Sequence, residues 1–358
     1  MTIKLSNNLN STVLTSDLNY IHKNINKKFF YNKTILITGY MGFIGFELSK
    51  YFIHYFENLK LKKLYLIDIK TNKEKILNKN IIKIKKDITK INLNKIFENE
   101  HIDIIIHAAS IASPYFYRKH PLKTIESNIV GLQNILNFSK NRKKINRILY
   151  FSSSEIYGDP DKKNIPTNEL YNGNVSCLGP RACYDEAKRM GETLCYVFNK
   201  EFNLQTRIVR PFNNYGPGLN IYDKRLPADL ANNVLKNKNI TIFSDGSPTR
   251  SFCYISDAII GYLNILAYKK FCVVNIGNDE EEISVKKFSE KFCFIGKKYL
   301  NYKGKIFYRK NKEKEYLINN PKRRCPNIKL ARKIIKFKPK IKLNVGIEKY
   351  LKFLKYET

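Results

Sequence analysis

The sequence predicts an α/β fold, with a doubly wound parallel sheet and a smaller α/β part towards the C-terminus. Apolar runs rich in β-branched residues alternate with helical patterns from residue 34 to residue 172, which is typical of parallel strands buried on both faces. After residue 172 the alternation is less regular, because shorter strand-like runs are mixed with helices and loops. These observations favour one large sheet completed by a less regular second part.

Five apolar runs predict the first strands of the sheet in order: TILITG, KLYLIDI, IIKIKKDI, IDIIIHAA and RILYFSSS. Later strands are predicted at LQTRIVRP and NITIF, and the closing segment predicts two helices separated by a proline-containing loop. Before the first strand, Leu18, Ile21 and Ile25 recur at helical spacing, with Ser16 as the N-cap. This pattern predicts an N-terminal helix outside the main fold.

The composition is that of a folded protein, since 43% of the 358 residues are hydrophobic and 13% are aromatic. The seven cysteines are an odd number and form no CxxC pair, so we expect reduced thiols and neither a disulfide framework nor a metal site. No apolar run approaches the roughly 20 residues that span a bilayer. The N-terminus also lacks a signal-peptide pattern, and we therefore expect a cytoplasmic protein.

The net charge of +34 is extreme, but the lysines are spread along the chain and do not form one block. This distribution indicates a compositional bias towards lysine, because a dedicated nucleic-acid site would gather the basic residues in one patch. A basic surface also attracts anionic small molecules. Nucleic acid and membranes are therefore not expected as partners.

The first predicted strand runs into three glycines, Gly39, Gly42 and Gly45, at the start of a helix. Glycines are required where the backbone turns sharply and approaches a pyrophosphate, and the helix N-terminus then offers N–H groups to the phosphates. Asp68 ends the next strand, where a carboxylate accepts hydrogen bonds from ribose hydroxyls and repels a 2′-phosphate. Together these features predict a Rossmann-type domain that binds NAD in preference to NADP.

Tyr184 and Lys188 stand four residues apart in YDEAK and therefore share one face of a helix. A lysine ammonium beside a tyrosine stabilises phenolate, which lowers the pKa of the tyrosine towards the working pH. The fifth strand ends in FSSSEIYG and offers Ser153 as a hydroxyl partner. We predict that Tyr184 takes a proton from a sugar hydroxyl while hydride leaves the same carbon for NAD.

Several long motifs carry a family resemblance: SSSEIYGDP, GNVSCLGPRACYDEAKRMGETL, RIVRPFNNYGPG, DGSPTRSFCYISD and NNPKRRCPNIKLAR. They closely resemble UDP-glucuronic acid decarboxylases, which belong to the NAD-dependent epimerase/dehydratase family of extended short-chain dehydrogenases. The resemblance covers the chain from about residue 34 to the C-terminus. It implies an NAD-dependent enzyme whose substrate is a nucleotide-sugar, with a UDP-sugar favoured.

The resemblance also implies roles for individual residues. Along the cofactor, it adds Phe43, Ile44, Asp87, Ile88, Ala108 and Ala109 to the glycines, Asp68, Tyr184 and Lys188. In the catalytic group it adds Glu155 to Ser153, Tyr184 and Lys188. For the nucleotide-sugar it implies Tyr117, Ser154, Arg181, Asn213, Arg225 and Arg250. The arginines suit this purpose because guanidinium groups bind phosphates and carboxylates through paired hydrogen bonds.

The pair Ser154-Glu155 favours decarboxylation among the reactions of this family. Related 4,6-dehydratases carry Asp-Glu at this place, and simple 4-epimerases usually lack the glutamate. Because a 4-keto-glucuronate is a β-keto acid that loses carbon dioxide readily, we expect conversion of UDP-glucuronate to UDP-xylose or the 4-keto pentose. The alternative is a 4-epimerase, 4-oxidase or 4,6-dehydratase acting on another NDP-sugar of a surface-polysaccharide pathway. A remote alternative, a non-catalytic RNA-binding relative, predicts a damaged Ser–Tyr–Lys triad.

The motifs suggest a division of the chain into three parts. Residues 1–33 form an N-terminal helical extension, and residues 34–172 form the NAD-binding domain, which residues 173–210 complete with the catalytic helix. Residues 211–358 mainly bind the nucleotide-sugar and are interleaved with the sheet. The resemblance further implies a homodimer through the helix that carries the Tyr–Lys pair and its neighbour, both of which have wide apolar faces.

Overall fold

The computed structural model describes residues 12–72, 76–140, 142, 145, 147–309 and 318–358. Its helices are α1 Thr12–Asn24, α2 Phe43–His54, α3 Leu93–Ile96, α4 Pro114–Lys119, α5 Pro121–Lys140, α6 Ala182–Phe202, α7 Leu226–Leu235, α8 Ile255–Ala267, α9 Val285–Leu300, α10 Lys329–Ile335 and α11 Leu343–Tyr356. Its strands are β1 Thr34–Thr38, β2 Lys63–Asp68, β3 Ile81–Lys85, β4 Ile104–His107, β5 Arg147–Phe151, β6 Thr206–Pro211, β7 Asn214–Tyr215, β8 Ile240–Ile242, β9 Thr249–Ser251, β10 Cys253–Tyr254, β11 Cys272–Ile276, β12 Glu282–Ser284, β13 Ile306–Tyr308 and β14 Arg323–Arg324. None of the helices in these ranges is long and apolar enough to cross a bilayer.

Seven parallel strands form the main sheet in the order β11-β6-β5-β4-β1-β2-β3. The five apolar runs of the sequence supply β1 to β5. The side chains of β1, β2, β4 and β5 are largely buried because helices cover both faces, whereas β3, at the edge of the sheet, buries Ile81 alone. The strand order reverses direction at β1, between β4 and β2. Ligands of such sheets bind at this reversal, outside the carboxyl ends of the strands.

The second part of the chain is not a separate body. Its strand β11 pairs with β6 and forms one edge of the main sheet, and α8 packs against β5 and β6. Its remaining strands form three small sheets, β10-β7, β12-β9-β14 and β13-β8. The pairing of β9 with β14 brings residues 249–251 next to residues 323–324, although they are far apart in the sequence.

The N-terminal helix differs from its sequence-based prediction in one respect. The sequence predicts a helix outside the main fold, whereas the structure packs α1 against α2, α8 and α11. Leu18, Ile21 and Ile25 are buried in the same core as the sheet, which is why their spacing matched a helix face. The helix begins at Thr12, so Ser16 lies inside it, and residues 1–11 of the predicted extension lie outside the described residues.

Polar side chains hold α1 against the C-terminal helix α11. The Asp17 carboxylate is fully buried, accepts a hydrogen bond from the Tyr254 hydroxyl at 2.6 Å and pairs with the Lys349 ammonium. At the start of the helix, the Glu357 carboxylate accepts hydrogen bonds from the backbone N–H of Val13 at 3.0 Å. A carboxylate at a helix N-terminus satisfies free N–H groups and interacts favourably with the helix dipole.

We expect Asp17→Ala to lower the free energy of unfolding by about 3 kcal/mol, because it leaves the buried Tyr254 hydroxyl and the Lys349 ammonium without their acceptor. Urea denaturation measures this loss. Lys23→Ala, at an exposed position of the same helix, serves as the control and should change stability by less than about 0.5 kcal/mol. Equal losses in the two variants would contradict the role of Asp17.

Candidate active site

A tight glycine turn lies at the carboxyl end of β1. Gly39 has a φ of +75°, and a Cβ atom there would lie 2.5 Å from the backbone nitrogen of Ala109, at the end of β4. A Cβ at Gly45 would lie 2.0 Å from the carbonyl oxygen of Gly39. Only glycine fits both positions, so the turn brings the N-terminus of α2, which Gly42 caps, close to the edge of the sheet.

Acidic residues follow the next two strands along the same edge. The Asp68 carboxylate ends β2 and accepts hydrogen bonds from the backbone N–H of Met41, in the glycine turn, and of Lys70, each at 3.0 Å. Burial raises the pKa of Asp68, although these N–H groups oppose the shift. Asp87 accepts hydrogen bonds from the backbone N–H and the hydroxyl of Thr89, at 2.9 and 2.8 Å.

The edge fits a dinucleotide. It combines a turn in which a Cβ has no room, a helix N-terminus with free N–H groups and an acid at the end of β2. The other predicted cofactor residues lie at the start of α2 or just beyond β3 and β4: Phe43, Ile44, Ile88, Ala108 and Ala109. The structure therefore places these predicted cofactor residues along the carboxyl edge of the sheet, after β1, β2, β3 and β4.

Helix α6 presents Tyr184 and Lys188 beside the end of β5. The Tyr184 hydroxyl hydrogen-bonds to the Ser153 side chain, and the Tyr184 ring stacks on the ring of Tyr117, with centroids 5.1 Å apart and planes 10° apart. The Lys188 ammonium donates to the carbonyl of Phe151 at 2.7 Å and lies 5.7 Å from the centre of the Tyr184 ring. The predicted Ser–Tyr–Lys triad is thus assembled, and all its members are buried.

The pKa values of this triad differ from the sequence-based prediction. Lys188 is expected to lower the pKa of Tyr184, but burial raises it to about 12, while the hydrogen bond with Ser153 lowers it only in part. Burial likewise lowers the pKa of Lys188 to about 7. Both charged forms are disfavoured because the two groups share one poorly solvated environment.

Two arginines bind the carboxylate of Glu155, and the charge of a third acts on it. The Arg324 guanidinium lies 2.7 Å from Oε1, and the Arg181 guanidinium pairs with Oε2. Arg250 of β9 lies opposite Arg324 of β14 in the register of the two strands. Burial alone would raise the pKa of Glu155, but Arg324, Arg181 and Arg250 together hold it below its usual value. Ser154 joins this group, since its hydroxyl accepts a hydrogen bond from Arg324 at 3.2 Å.

Arg324 is a site residue that the sequence reasoning missed. It is only 3% exposed, and its guanidinium also donates to the carbonyl of Gly158 at 2.9 Å. Arg324 lies in the motif NNPKRRCPNIKLAR, which carries the family resemblance, but the sequence does not indicate that this motif contacts Glu155. The pairing of β9 with β14 makes the connection.

The remaining predicted substrate residues lie around this cluster. Arg225 pairs with the Asp223 carboxylate and lies 5.6 Å above the ring of Phe43, on the side of the glycine turn. The Asn213 amide donates to the carbonyl of Ser251 at 3.1 Å, next to Arg250 in the chain. Arg225 and Asn213 thus lie at the periphery of the cluster. The structure brings together the other eight predicted residues: Tyr117, Ser153, Ser154, Glu155, Arg181, Tyr184, Lys188 and Arg250.

Comparison with known proteins agrees with this site. The sequence profile of the NAD dependent epimerase/dehydratase family matches residues 35–277. The chain belongs to this family. UDP-glucuronic acid decarboxylase 6 of Arabidopsis thaliana is 34% identical over 345 residues, which are 96% of this chain and 95% of that protein. UDP-glucuronic acid decarboxylase 1 of Xenopus tropicalis is 31% identical over 328 residues, which are 91% of this chain and 73% of that protein.

A solved structure extends the comparison to the fold. UDP-glucuronic acid 4-epimerase from Bacillus cereus in complex with NAD is 27% identical, with a TM-score of 0.72, and covers 90% of this chain and 98% of that one. The predicted fold class and family are confirmed. As a member of this family the protein is an enzyme, and NAD is its cofactor.

Proposed function

We propose that the enzyme oxidises UDP-glucuronate at C4 of the sugar and then removes the C6 carboxylate as carbon dioxide. The observation that carries this proposal is the cluster beside Tyr184, in which the guanidinium groups of Arg181 and Arg324 bind the carboxylate of Glu155 and the positive charge of Arg250 also acts on it. Such a surplus of positive charge matches a substrate with an anionic diphosphate and an anionic C6 group. The decarboxylases of Arabidopsis and Xenopus, similar over most of the chain, support the same reaction.

The first step is assigned to the triad. Tyr184 takes the proton of the sugar 4-hydroxyl, and the hydrogen bond with Ser153 orients its phenol oxygen. Lys188 shares the face of α6 that Tyr184 occupies, and in its protonated form it opposes the effect of burial on the pKa of Tyr184. NAD, which the glycine turn and Asp68 would hold, would supply the acceptor for the hydride that leaves C4.

The second step follows from the chemistry of the ketone. A 4-keto-glucuronate is a β-keto acid, so breaking the bond between C5 and C6 releases carbon dioxide and leaves the electron pair in the enolate of the C4 ketone. Glu155 orients the water or proton that then reaches C5. Return of the hydride to C4 would give UDP-xylose, whereas release before this return would leave the 4-keto pentose and reduced cofactor. Ser154 stands where dehydratases of the family carry an aspartic acid, and its hydroxyl is bound by Arg324. It therefore offers no acid for the departure of a 6-hydroxyl group.

Different parts of the chain bind the cofactor and the substrate in this proposed reaction. Residues 34–210 hold the cofactor and the triad, while residues 211–358 mainly bind the nucleotide-sugar and contribute Arg225, Arg250 and Arg324. Asp68 is assigned to the adenosine ribose, Asn213 to the diphosphate and Arg225 to the nucleotide. The support is their placement, since these side chains line one edge of the sheet or the loops beside it.

We also propose that the enzyme is a homodimer built from α5 and α6. These two helices pack against each other and still expose apolar side chains: Leu122, Ile125, Val130, Met190, Tyr196 and Phe202. Exposed apolar side chains on adjacent helices favour burial against a second copy. Sedimentation should show a dimer, and Met190→Lys should weaken it. A monomeric parent at micromolar concentration would contradict this assignment.

The decisive test incubates the enzyme with NAD and UDP-glucuronate and follows carbon dioxide release and product mass. Decarboxylation lowers the product mass by that of carbon dioxide when the hydride returns to C4, and by two further hydrogens when the product leaves as the 4-keto pentose. A 4-epimerisation leaves the mass unchanged, and dehydration of a sugar with a 6-hydroxyl group removes the mass of water. Epimerisation is the second candidate, because the Bacillus cereus relative is named for that reaction on UDP-glucuronic acid. A product of unchanged mass would establish it and overturn the decarboxylation. UDP-, dTDP-, GDP- and CDP-sugars complete the panel.

A further inference from the structure

Arg181 lies between two carboxylates of the site. One guanidinium nitrogen pairs with Oε2 of Glu155, and Nε lies 3.6 Å from Oδ2 of Asp185, one turn further along α6. Arg181 is 6% exposed and Asp185 is 4% exposed. Two acids therefore compete for one cation where water is largely excluded.

The two acids are not equivalent. Glu155 has a second cation, Arg324, at 2.7 Å, whereas Oδ1 of Asp185 is buried and has no hydrogen-bond partner among the described residues. An ionised carboxylate with an unsatisfied buried oxygen is costly, so the negative charge belongs on Glu155 and the proton on Asp185. Burial, followed by the charge of Glu155, raises the pKa of Asp185 to about 7, while Glu155 remains below its usual value.

The charged and titratable groups that face Asp185 come from four parts of the fold. They are Glu155 after β5, Arg324 of β14, Tyr117 of α4, and Arg181, Cys183 and Tyr184 at the start of α6. With Asp185 neutral, the three positive charges of Arg181, Arg250 and Arg324 meet one negative charge, so the cluster carries two positive charges in excess. Ionisation of Asp185 reduces the excess to one.

We propose that Asp185 is a specificity-determining positioning residue, which rests as a neutral acid and so leaves the charge of Arg181 available to an anionic group at C6 of the sugar. This inference rests on the proposed function and adds to it a preference that depends on pH. When Asp185 ionises, it attracts Arg181 towards the helix and lowers the charge of the cluster. The preference for a uronic acid over a neutral sugar therefore decreases as the pH rises through neutrality.

Binding measurements on the NAD-loaded enzyme test this preference. Tyr184→Phe blocks turnover, and calorimetry then gives the affinities for UDP-glucuronate and UDP-glucose between about pH 5.5 and pH 8.5. In this background we expect the ratio of the two affinities to fall about tenfold with rising pH, as one charge is lost. Asp185→Asn, which is neutral throughout, should lack the part of this fall that Asp185 causes. Glu186→Gln, at the next and partly exposed position, should follow the parent.

A ratio that falls equally in the Asp185→Asn variant would overturn the inference. Lys188 titrates in the same range, but it is present in every variant, so the difference between variants isolates Asp185. If the parent shows no preference for UDP-glucuronate at any pH, the proposed function is wrong. Asp185 is then tested by stability alone, which requires no ligand.

The stability test has a definite sign. The pKa of Asp185 is raised on folding, from 3.8 to about 7, so the stabilisation of its protonated form is complete below pH 3.8 and is lost as the pH rises through about 7. The Asp185→Asn variant has no carboxyl group to ionise at this position, so it loses no stability there over this range. Its melting temperature relative to the parent should therefore increase between about pH 5 and pH 8. A constant difference between the two would show that Asp185 does not hold the proton.

Discussion

Tyr184→Phe should lower the rate of carbon dioxide release from UDP-glucuronate by about 10³-fold, because it removes the oxygen that takes the proton from the sugar hydroxyl. The ring remains able to stack on Tyr117, 5.1 Å away, so the fold and the bound NAD should be retained. Loss of one buried hydroxyl should change stability by about 1 kcal/mol. Trapping of labelled carbon dioxide measures the rate, and thermal unfolding measures the stability.

The control for this prediction is Tyr356→Phe. Tyr356 is 64% exposed near the C-terminus, and loss of its hydroxyl should leave the rate unchanged. If Tyr184→Phe retains activity within tenfold of the parent while Tyr356→Phe is normal, another group takes the proton from the sugar, and the assignment of the triad fails.

Arg324→Met should lower kcat/KM for UDP-glucuronate by about 10²–10³-fold, the cost of removing one charged donor from such a site. The reason is that Arg324 binds both Glu155 and Ser154, so its loss releases the two side chains that decide the fate of C6. Stability should also fall, by about 3 kcal/mol, since the partly buried Glu155 keeps only part of its compensation. Steady-state kinetics and urea denaturation measure the two effects.

Arg323→Met is the matched control, because the adjacent arginine pairs with Glu282 in a more exposed position. Exposed pairs of this kind contribute about 1 kcal/mol or less, so kinetics and stability should stay close to those of the parent. If both variants lose activity equally, the loss comes from disturbing strand β14 as a whole, and the specific role assigned to Arg324 is wrong.

The strands, the glycine turn and the catalytic helix were predicted well, because each depends on residues that are close together in the sequence. The run TILITG and the glycines after it specify a strand and a turn in which backbone contacts leave no space for a Cβ atom. Tyr184 and Lys188 share a helix face because four residues make about one turn. The placement of α1 was missed, since its apolar face indicates burial but not the partner helices against which it is buried.

The sequence by itself therefore determined the parallel sheet, the glycine turn at its edge and the grouping of Ser153, Tyr184 and Lys188. Only the tertiary structure decided which charges meet at the proposed sugar site. Arg324 reaches Glu155 because β14 pairs with β9, and Asp185 is distinguished from Glu155 only by burial and by the number of arginines it faces. The physical reason is that pKa values and ion pairs depend on distances and solvation between distant segments, which no local pattern encodes.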